Sequence, residues 1–515
     1  MPDHRFSRRY FFYGSLLAGA VPQGGWGSTQ SLKALGYKSP NEKLNVATIG
    51  AGGRAASDIG GVGPSENIVA MTDVDAKSAE RMFTQYDKAH KYTDFRKMLD
   101  QEGKTIDAVI IAIPDHMHGT AAMWCMERGK HVYVEKPLTR TVWEARQLTE
   151  AATKYKVATQ MGNQGYSNDG ARIAAEIVWS GEIGNVTEVH AWTTRPIWPQ
   201  GMTEIPAPTP VPSALDWDSW IGIQTLRPYT AGVTAESSGE TATGRINLGR
   251  TGFYEPFNWR GHFDFGCGPL GDMACHLLGA VNMGLMLGAP KSVEVISQEG
   301  KSPFAFPKKS VTVFEFPARH NMSPVKIHWY DASTGPRYRP EGIAESEPLI
   351  GGAGAFGRQF APEGGRRGVA PGSAPGATPD AAGRGSGRGG RGGAGFSTRE
   401  GVVWVGDKGI MTTDTYGANV RLLPEARHKE YKLPGEILTR SPGHYRDWIR
   451  ACKGGDPACS NFSVAGPFTE WIVMGVVALH FEGKLEWDAA NMRFSNNAEA
   501  NKYIKPTFRK GWSFT

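Results

Sequence analysis

A chain of 515 residues, 21% charged and 40% hydrophobic, exceeds one ordinary core and has the composition of a soluble globular protein with at least two domains. The formal net charge of +6 does not mark a nucleic-acid binder, because residues 351–397 carry six arginines against only Glu363 and Asp380 and the remainder is nearly neutral. No apolar run reaches the ~20 residues of a membrane span, and five cysteines without C-x-x-C spacing encode neither a zinc ribbon nor a disulfide framework.

The N-terminus reads Ser7-Arg8-Arg9-Tyr10-Phe11-Phe12, then a short, weakly apolar stretch ending Ala18-Gly19-Ala20. Paired arginines, a modest apolar region and an A-x-A site predict a twin-arginine export signal, hence the export machinery as a partner and a periplasmic or otherwise extracytoplasmic address. Residues 1–40 are therefore set apart as signal and linker. From Leu44 to Met161, short apolar runs (Leu44–Ile49, Asn67–Thr72, Ile106–Ile113, His131–Val134, Val157–Met161) alternate with helical patterns such as Ala76–Tyr86 and Thr120–Arg128. That alternation predicts an α/β domain with a doubly wound parallel sheet over 41–163. Beyond it, aromatic and proline-rich loops give way to alternating strands (Ser292–Ile296, Val311–Phe316, Val402–Val405) and helices around His444–Ala451 and Phe468–His480. An α+β domain with an open, mostly antiparallel sheet is expected over 164–515. Within it, the Gly/Arg-rich residues 351–397 hold too few large apolar side chains to offset ordering entropy and are expected to be a disordered insertion.

The first strand runs into Gly50-Ala51-Gly52-Gly53-Arg54-Ala55, a G-x-G-x-x-A turn, and Asp73 follows twenty-three residues after Gly50 at the tip of the second strand. Strand, glycine turn, helix and distant acid are together the context of a dinucleotide site. Gly50 and Gly52 permit the turn and the approach of a diphosphate to the backbone, Gly53 and Arg54 open the helix whose positive end faces it, and Asp73 accepts the adenosine ribose hydroxyls. A carboxylate there repels a 2′-phosphate and favours NAD over NADP, a preference Arg54 partly offsets. Pro114, His118 and Glu135, near the carboxyl ends of later strands, join the cofactor set. His118 is expected to begin a helix, and His116 and His118 lack the further ligands a metal needs, so no metal site is expected.

With Gly50-Ala51-Gly52, Thr72-Asp73-Val74-Asp75, Pro114-Asp115-His116-Met117-His118, Glu135-Lys136-Pro137 and Gly271-Asp272-Met273-Ala274-Cys275-His276, the chain resembles the glucose–fructose oxidoreductase/inositol dehydrogenase (Gfo/Idh/MocA) family from about residue 42 to 510. The tripeptide at 135–137 is the most specific of these matches. The resemblance implies a Rossmann domain followed by a domain on an open sheet that commonly forms homo-oligomer contacts. It also implies an NAD-dependent enzyme acting on the hydroxyls of sugars, glycosides or cyclitols. Lys136 then reaches the reacting hydroxyl near the nicotinamide, Asp272 orients substrate or base, and His276 exchanges the proton. The i, i+4 spacing independently predicts an Asp272–His276 hydrogen bond on one helix face, which raises the proton affinity of the imidazole.

Asn163 and Gln164, after the last Rossmann strand, offer amides to nicotinamide or substrate. Tyr254, Trp259 and Arg260, shortly before Asp272, offer an aromatic platform and donors for a carbohydrate ring. The insertion departs from the common family pattern, and export is a minority trait in it. Outside the cytoplasm free NAD is scarce, so a tightly held cofactor is expected. Two rival readings remain: a redox-neutral enzyme that cleaves glycosides by oxidation and elimination, and a secreted sugar-binding protein without catalysis.

Overall fold

The computed structural model describes residues 42–232, 240–241, 244–245, 252–351, 355–357 and 399–515. The signal and linker expected over 1–40, and nearly all of the insertion expected over 351–397, lie outside the described residues.

The N-terminal domain runs β1 (Asn45–Ile49), α1 (Gly53–Val62), β2 (Asn67–Thr72), α2 (Ala76–Gln85), β3 (His90–Tyr92), α3 (Phe95–Glu102), β4 (Ala108–Ile111), α4 (Asp115–Glu127), β5 (His131–Val134), α5 (Val142–Tyr155) and β6 (Thr159–Met161). All ladders are parallel, in the order β3-β2-β1-β4-β5-β6. Parallel strands need both faces covered, and Ala108-Val109-Ile110-Ile111 is buried throughout. Helices are stopped and started by local chemistry: Asp75 and Asp94 cap α2 and α3, and Thr141 with Glu144 forms a reciprocal capping box on α5. Strand order reverses between β1 and β4, which opens a crevice at their carboxyl ends.

The second domain contains α6 (Asp169–Ser180), β7 (Val186–Trp192), β8 (Ser292–Glu299), β9 (Lys309–Phe316), β10 (Val325–Tyr330), β11 (Gly401–Gly406), β12 (Ile410–Asp414), β13 (Val420–Leu423), α7 (His444–Cys452), α8 (Phe462–Ala478), β14 (Lys484–Asp488) and β15 (Arg493–Phe494). Its sheet runs β13-β12-β11-β7-β10-β9-β8-β14-β15, and only the β7–β10 ladder is parallel. α8 is apolar nearly all round and almost wholly buried, as a helix packed on several sides must be. Arg146 on α5 donates to both oxygens of Glu470 on α8 at 2.7 Å each, tying the two domains together.

Two element boundaries differ from expectation. α4 begins at Asp115, so His118 lies inside its first turn rather than opening it. α8 begins at Phe462, because the Asn461 side chain accepts the Ser463 amide and starts the helix early. The first residues of the expected insertion are also ordered onto the sheet: Phe356 exchanges both backbone hydrogen bonds with Val420, and the Gly351 carbonyl accepts from Arg421. β13 is an edge strand, whose outward backbone groups need such a partner.

Against the expectation of no metal site, one grouping of suitable ligands occurs among the described residues, formed by Glu188 and His190 on β7 and His328 on β10. The two imidazoles are stacked at 4.5 Å with planes 13° apart, and Tyr338 stacks on His190 from 3.8 Å. Parallel rings aim their in-plane lone pairs side by side rather than at one point, so this grouping is an aromatic stack. Sequence spacing could not show it, because it joins strands far apart in the chain.

Candidate active site

A cleft of about 550 Å³ follows the carboxyl ends of the Rossmann strands and is closed from the other side by the second domain. Gly50 has φ +95°, and a Cβ there would lie 2.4 Å from the Ala112 carbonyl oxygen. A Cβ on Gly52 would lie 2.0 Å from Ser78 Oγ, so the packing of α2 by itself requires this glycine. A Cβ on Gly53 meets nothing within 4 Å. Open space therefore faces the start of α1, where amides have no intrahelical acceptor and a diphosphate fits.

Asp73 does more than await a ribose. Its Oδ2 accepts the amides of Ala51 (2.8 Å) and Gly52 (3.0 Å), and its Oδ1 accepts that of Asp75 (2.9 Å). A carboxylate offers about four acceptor sites, so one remains for a sugar hydroxyl. Burial raises its pKa from the ordinary value, opposed by those three backbone hydrogen bonds. With the amides of Ala51 and Gly52 taken, Gly53 and Arg54 are left to hold a diphosphate. Arg54 does not offset Asp73. Its guanidinium bonds Glu135 (3.0 Å), Asp58 (3.0 Å) and Tyr445 (3.2 Å), and the proximity of Glu135 raises its pKa further. Asp75, Asp94 and Glu255 line the cleft near Asp73, making this the acidic, adenosine end.

Glu135 is held ionised, at about 2, because Arg54 and Lys136 outweigh its burial penalty. It also accepts from Tyr133 (3.2 Å) and Gln164 (3.3 Å). Lys136 donates from Nζ to both the Asp272 side chain and its carbonyl oxygen, each at 2.8 Å. Arg195 Nε lies 3.3 Å and Arg260 Nε 3.5 Å from the same carboxylate. Despite burial, Lys136, Arg260 and Arg195 hold the Asp272 pKa far below the usual carboxylate range.

The predicted Asp272–His276 hydrogen bond is not made. Residues Leu270–Ala274 form a wide π turn, which breaks the i, i+4 geometry, and Asp272 turns to the three cations instead. His276 is buried with Nδ1 lacking a hydrogen-bond partner, and Tyr416 packs edge-on at 4.9 Å. Desolvation and the neighbouring Lys136 push its pKa down to about 3, opposite to the expected rise, so the imidazole is neutral at ordinary pH.

Pro114, His118, Gln164, Trp259 and Arg260 line the cleft as expected. Both His118 ring nitrogens lie 2.8 Å from backbone carbonyl oxygens, of Pro137 and Ile113. Asn163 does not reach the cleft: it is fully buried and its Oδ1 accepts the Ser460 hydroxyl. Tyr254 belongs to an aromatic cluster with Trp217, Trp220 and Phe265. Several polar and aromatic lining residues escaped the sequence reading, among them Asp115, Arg195, Tyr416 and Trp512. Asp115 lay unread within Pro114-Asp115-His116; buried, with its Oδ2 accepting the Cys267 amide (3.0 Å), it is pushed up to about 7. Arg195, Tyr416 and Trp512 come from loops and the C-terminal tail, with no local signal.

Residues 44–163 match the profile of the Gfo/Idh/MocA family, described as an oxidoreductase family with an NAD-binding Rossmann fold. Similar curated proteins include a glycosyl hydrolase family 109 protein of Solibacter usitatus, 27% identical over 31% of this chain and 39% of its own length. An inositol 2-dehydrogenase of Salmonella paratyphi B is 30% identical over 27% and 40%. The chain thus spans about two fifths of the length of these relatives. Among solved structures, the WlbA dehydrogenase of Chromobacterium violaceum, in complex with NADH and UDP-GlcNAcA, aligns over 87% of this chain and 97% of its own at 13% identity, with a TM-score of 0.52. At that identity it shows the two-domain fold. From glycine turn to Glu135-Lys136-Pro137, the N-terminal domain of this chain is thus similar to the NAD-binding Rossmann domain of the Gfo/Idh/MocA oxidoreductases.

Proposed function

We propose that the chain is an exported, NAD-dependent oxidoreductase that moves a hydride to or from a secondary hydroxyl of a sugar, glycoside or cyclitol and holds its cofactor tightly. The observation that carries this reading is the convergence of Lys136, Asp272 and His276 at one end of the cleft, with Asp73 and the glycine turn at the other. β2 and β5 are three ladder steps apart, about 14 Å, so a dinucleotide with its adenosine at Asp73 extends toward Lys136. When bound, NAD supplies the hydride acceptor or donor. The chain supplies the rest. Asp272 fixes the Lys136 ammonium, which stabilises an oxyanion forming on the substrate. Neutral His276 lines the cleft beside Lys136, and its imidazole takes the hydroxyl proton and returns it in reverse.

Tight holding is supported by the coverage of the adenosine end. Leu215 bridges Asp75, the Asp216 amide donates to the Val74 carbonyl at 2.8 Å, and Trp512 of the C-terminal tail lines the cleft. Export rests on Ser7–Phe12, and homo-oligomer contacts on the family resemblance. In Lys136→Met, hydride transfer should fall about 10²–10³-fold with NAD binding retained; full activity in that variant contradicts the assignment.

The family 109 relative favours a second reading, in which oxidation, elimination of an aglycone and return of the hydride cleave a glycoside without net redox change. Release of an aglycone with no net change in NADH selects that reading.

A further inference from the structure

The charges lining the cleft are segregated. At the β2–β3 end stand Asp73, Asp75, Asp94 and Glu255; at the β5 end Glu135 is matched by Arg54, and Lys136, Arg195 and Arg260 stand around the carboxylate of Asp272. Within 3.5 Å of Asp272, three cations thus face one carboxylate. Glu400, 3.8 Å from Arg195, offsets one of the three charges, and its Oε1 also accepts the Thr193 and Thr194 hydroxyls and the Thr194 amide. Asp115, a further acid of this end, accepts the Cys267 amide at Oδ2.

The two arginines also keep donors in reserve. Arg195 Nε is buried and makes no hydrogen bond, its 3.3 Å approach to Asp272 being an ion pair without the alignment of one. Arg260 gives one hydrogen bond, to the Phe257 carbonyl at 3.2 Å, while its guanidinium plane is held over Trp259 (4.2 Å) and Phe257 (4.5 Å). A guanidinium has five N–H donors in a rigid fork. Most of these two forks is therefore unspent, and both side chains line the cleft beside Lys136, Arg260 held in place by its stacking. Desolvated donors in such a site are costly unless a ligand meets them, and a neutral hydroxyl meets them less well than an anion.

We infer that the substrate is an anionic sugar, whose carboxylate or phosphate is bound by Arg195 and Arg260 while a ring hydroxyl of the same molecule lies at Lys136. This rests on the proposed reading of the cleft as a sugar-oxidising site. It names the substrate class that site selects and assigns Arg195, which no motif singles out, to substrate recognition.

The test is isothermal titration of the full-length protein, first with NAD and then, loaded with NAD, with D-glucose, D-glucuronate and glucose phosphate. The expected result is an anion bound at least about tenfold more tightly than glucose. That advantage should shrink to within about twofold in Arg260→Gln or Arg195→Gln. Glucuronate preferred over glucose phosphate assigns the group to a carboxylate, and the reverse order to a phosphate. Equal affinities for glucose and both anions, or no binding of either anion, overturn the inference with no variant needed. Failure to bind NAD in the first titration strikes the functional reading itself, so the two failures are distinguishable.

Discussion

Asp73 is the residue whose role the structure changes most, and Asp73→Asn tests that change. The carboxylate accepts three backbone amides, from Ala51, Gly52 and Asp75, on two oxygens. A carboxamide keeps one oxygen with about two acceptor sites and presents an N–H₂ in place of the other. At least one amide therefore loses its acceptor and faces a donor, a penalty of about 1–3 kcal/mol for a buried group. Because these bonds exist before any ligand arrives, the loss should appear in the apoprotein as a lower urea midpoint for the N-terminal domain. NAD affinity should fall as well, by about fivefold to a hundredfold, since the acceptor left for a ribose hydroxyl competes for the single remaining oxygen. Urea unfolding followed by Rossmann-domain fluorescence, and titration with NAD, separate the two effects. An unchanged urea midpoint refutes the turn-capping role, and an unchanged NAD affinity refutes the ribose role.

Three other outcomes follow from the same geometry. Asp115 has a folded pKa near 7, above its unfolded value, so the folded state binds the extra proton: its contribution is full at acid pH and is lost as pH rises toward and through 7. Urea midpoints measured across that window should decline with pH in the wild type, and less steeply in Asp115→Asn. Asp272→Ala removes the carboxylate that neutralises Lys136, Arg195 and Arg260, and should cost about 3–5 kcal/mol, with added acetate restoring stability to the variant but not to the wild type. Trp512→Ala opens the tail side of the cleft and releases the Arg96 guanidinium stacked 4.2 Å over the indole, so NAD should leave several-fold faster in stopped-flow chase experiments.

The Rossmann half was readable because its determinants are local. β-branched runs such as Ala108–Ile111 form strands wherever both faces are covered, and the glycine turn carries its own steric reasons. Lys136, Asp272 and His276, the proposed catalytic trio, also meet in one cleft, yet their wiring differs from the expected pairing. Residue spacing presumes an α-helical register, and the π turn at Leu270–Ala274 places Asp272 against Lys136 instead of His276. Burial inverted a second expectation: desolvation outweighs nearby acids at His276 and lowers its pKa. Asn163 and Tyr254 have the chemistry of ligand-binding residues, but neighbours remote in sequence, Ser460 and Trp217, absorb them into the interior. Arg195 and Tyr416 reach the site through long-range packing of loops, for which a single sequence carries no periodicity. The aromatic segment around Trp217 and Trp220 is both core and wall: the two indoles stack at 4.9 Å while Ser219 and Trp220 line the cleft.

The most direct test of the account is to purify the protein without added cofactor, denature it, and assay the released nicotinamide dinucleotide, resolving NAD, NADH and NADP. NAD or NADH near one per chain is the predicted result, given the acidic adenosine end around Asp73 and the segments that cover it. A protein that releases none, and fails to bind NAD when it is supplied, contradicts the central claim.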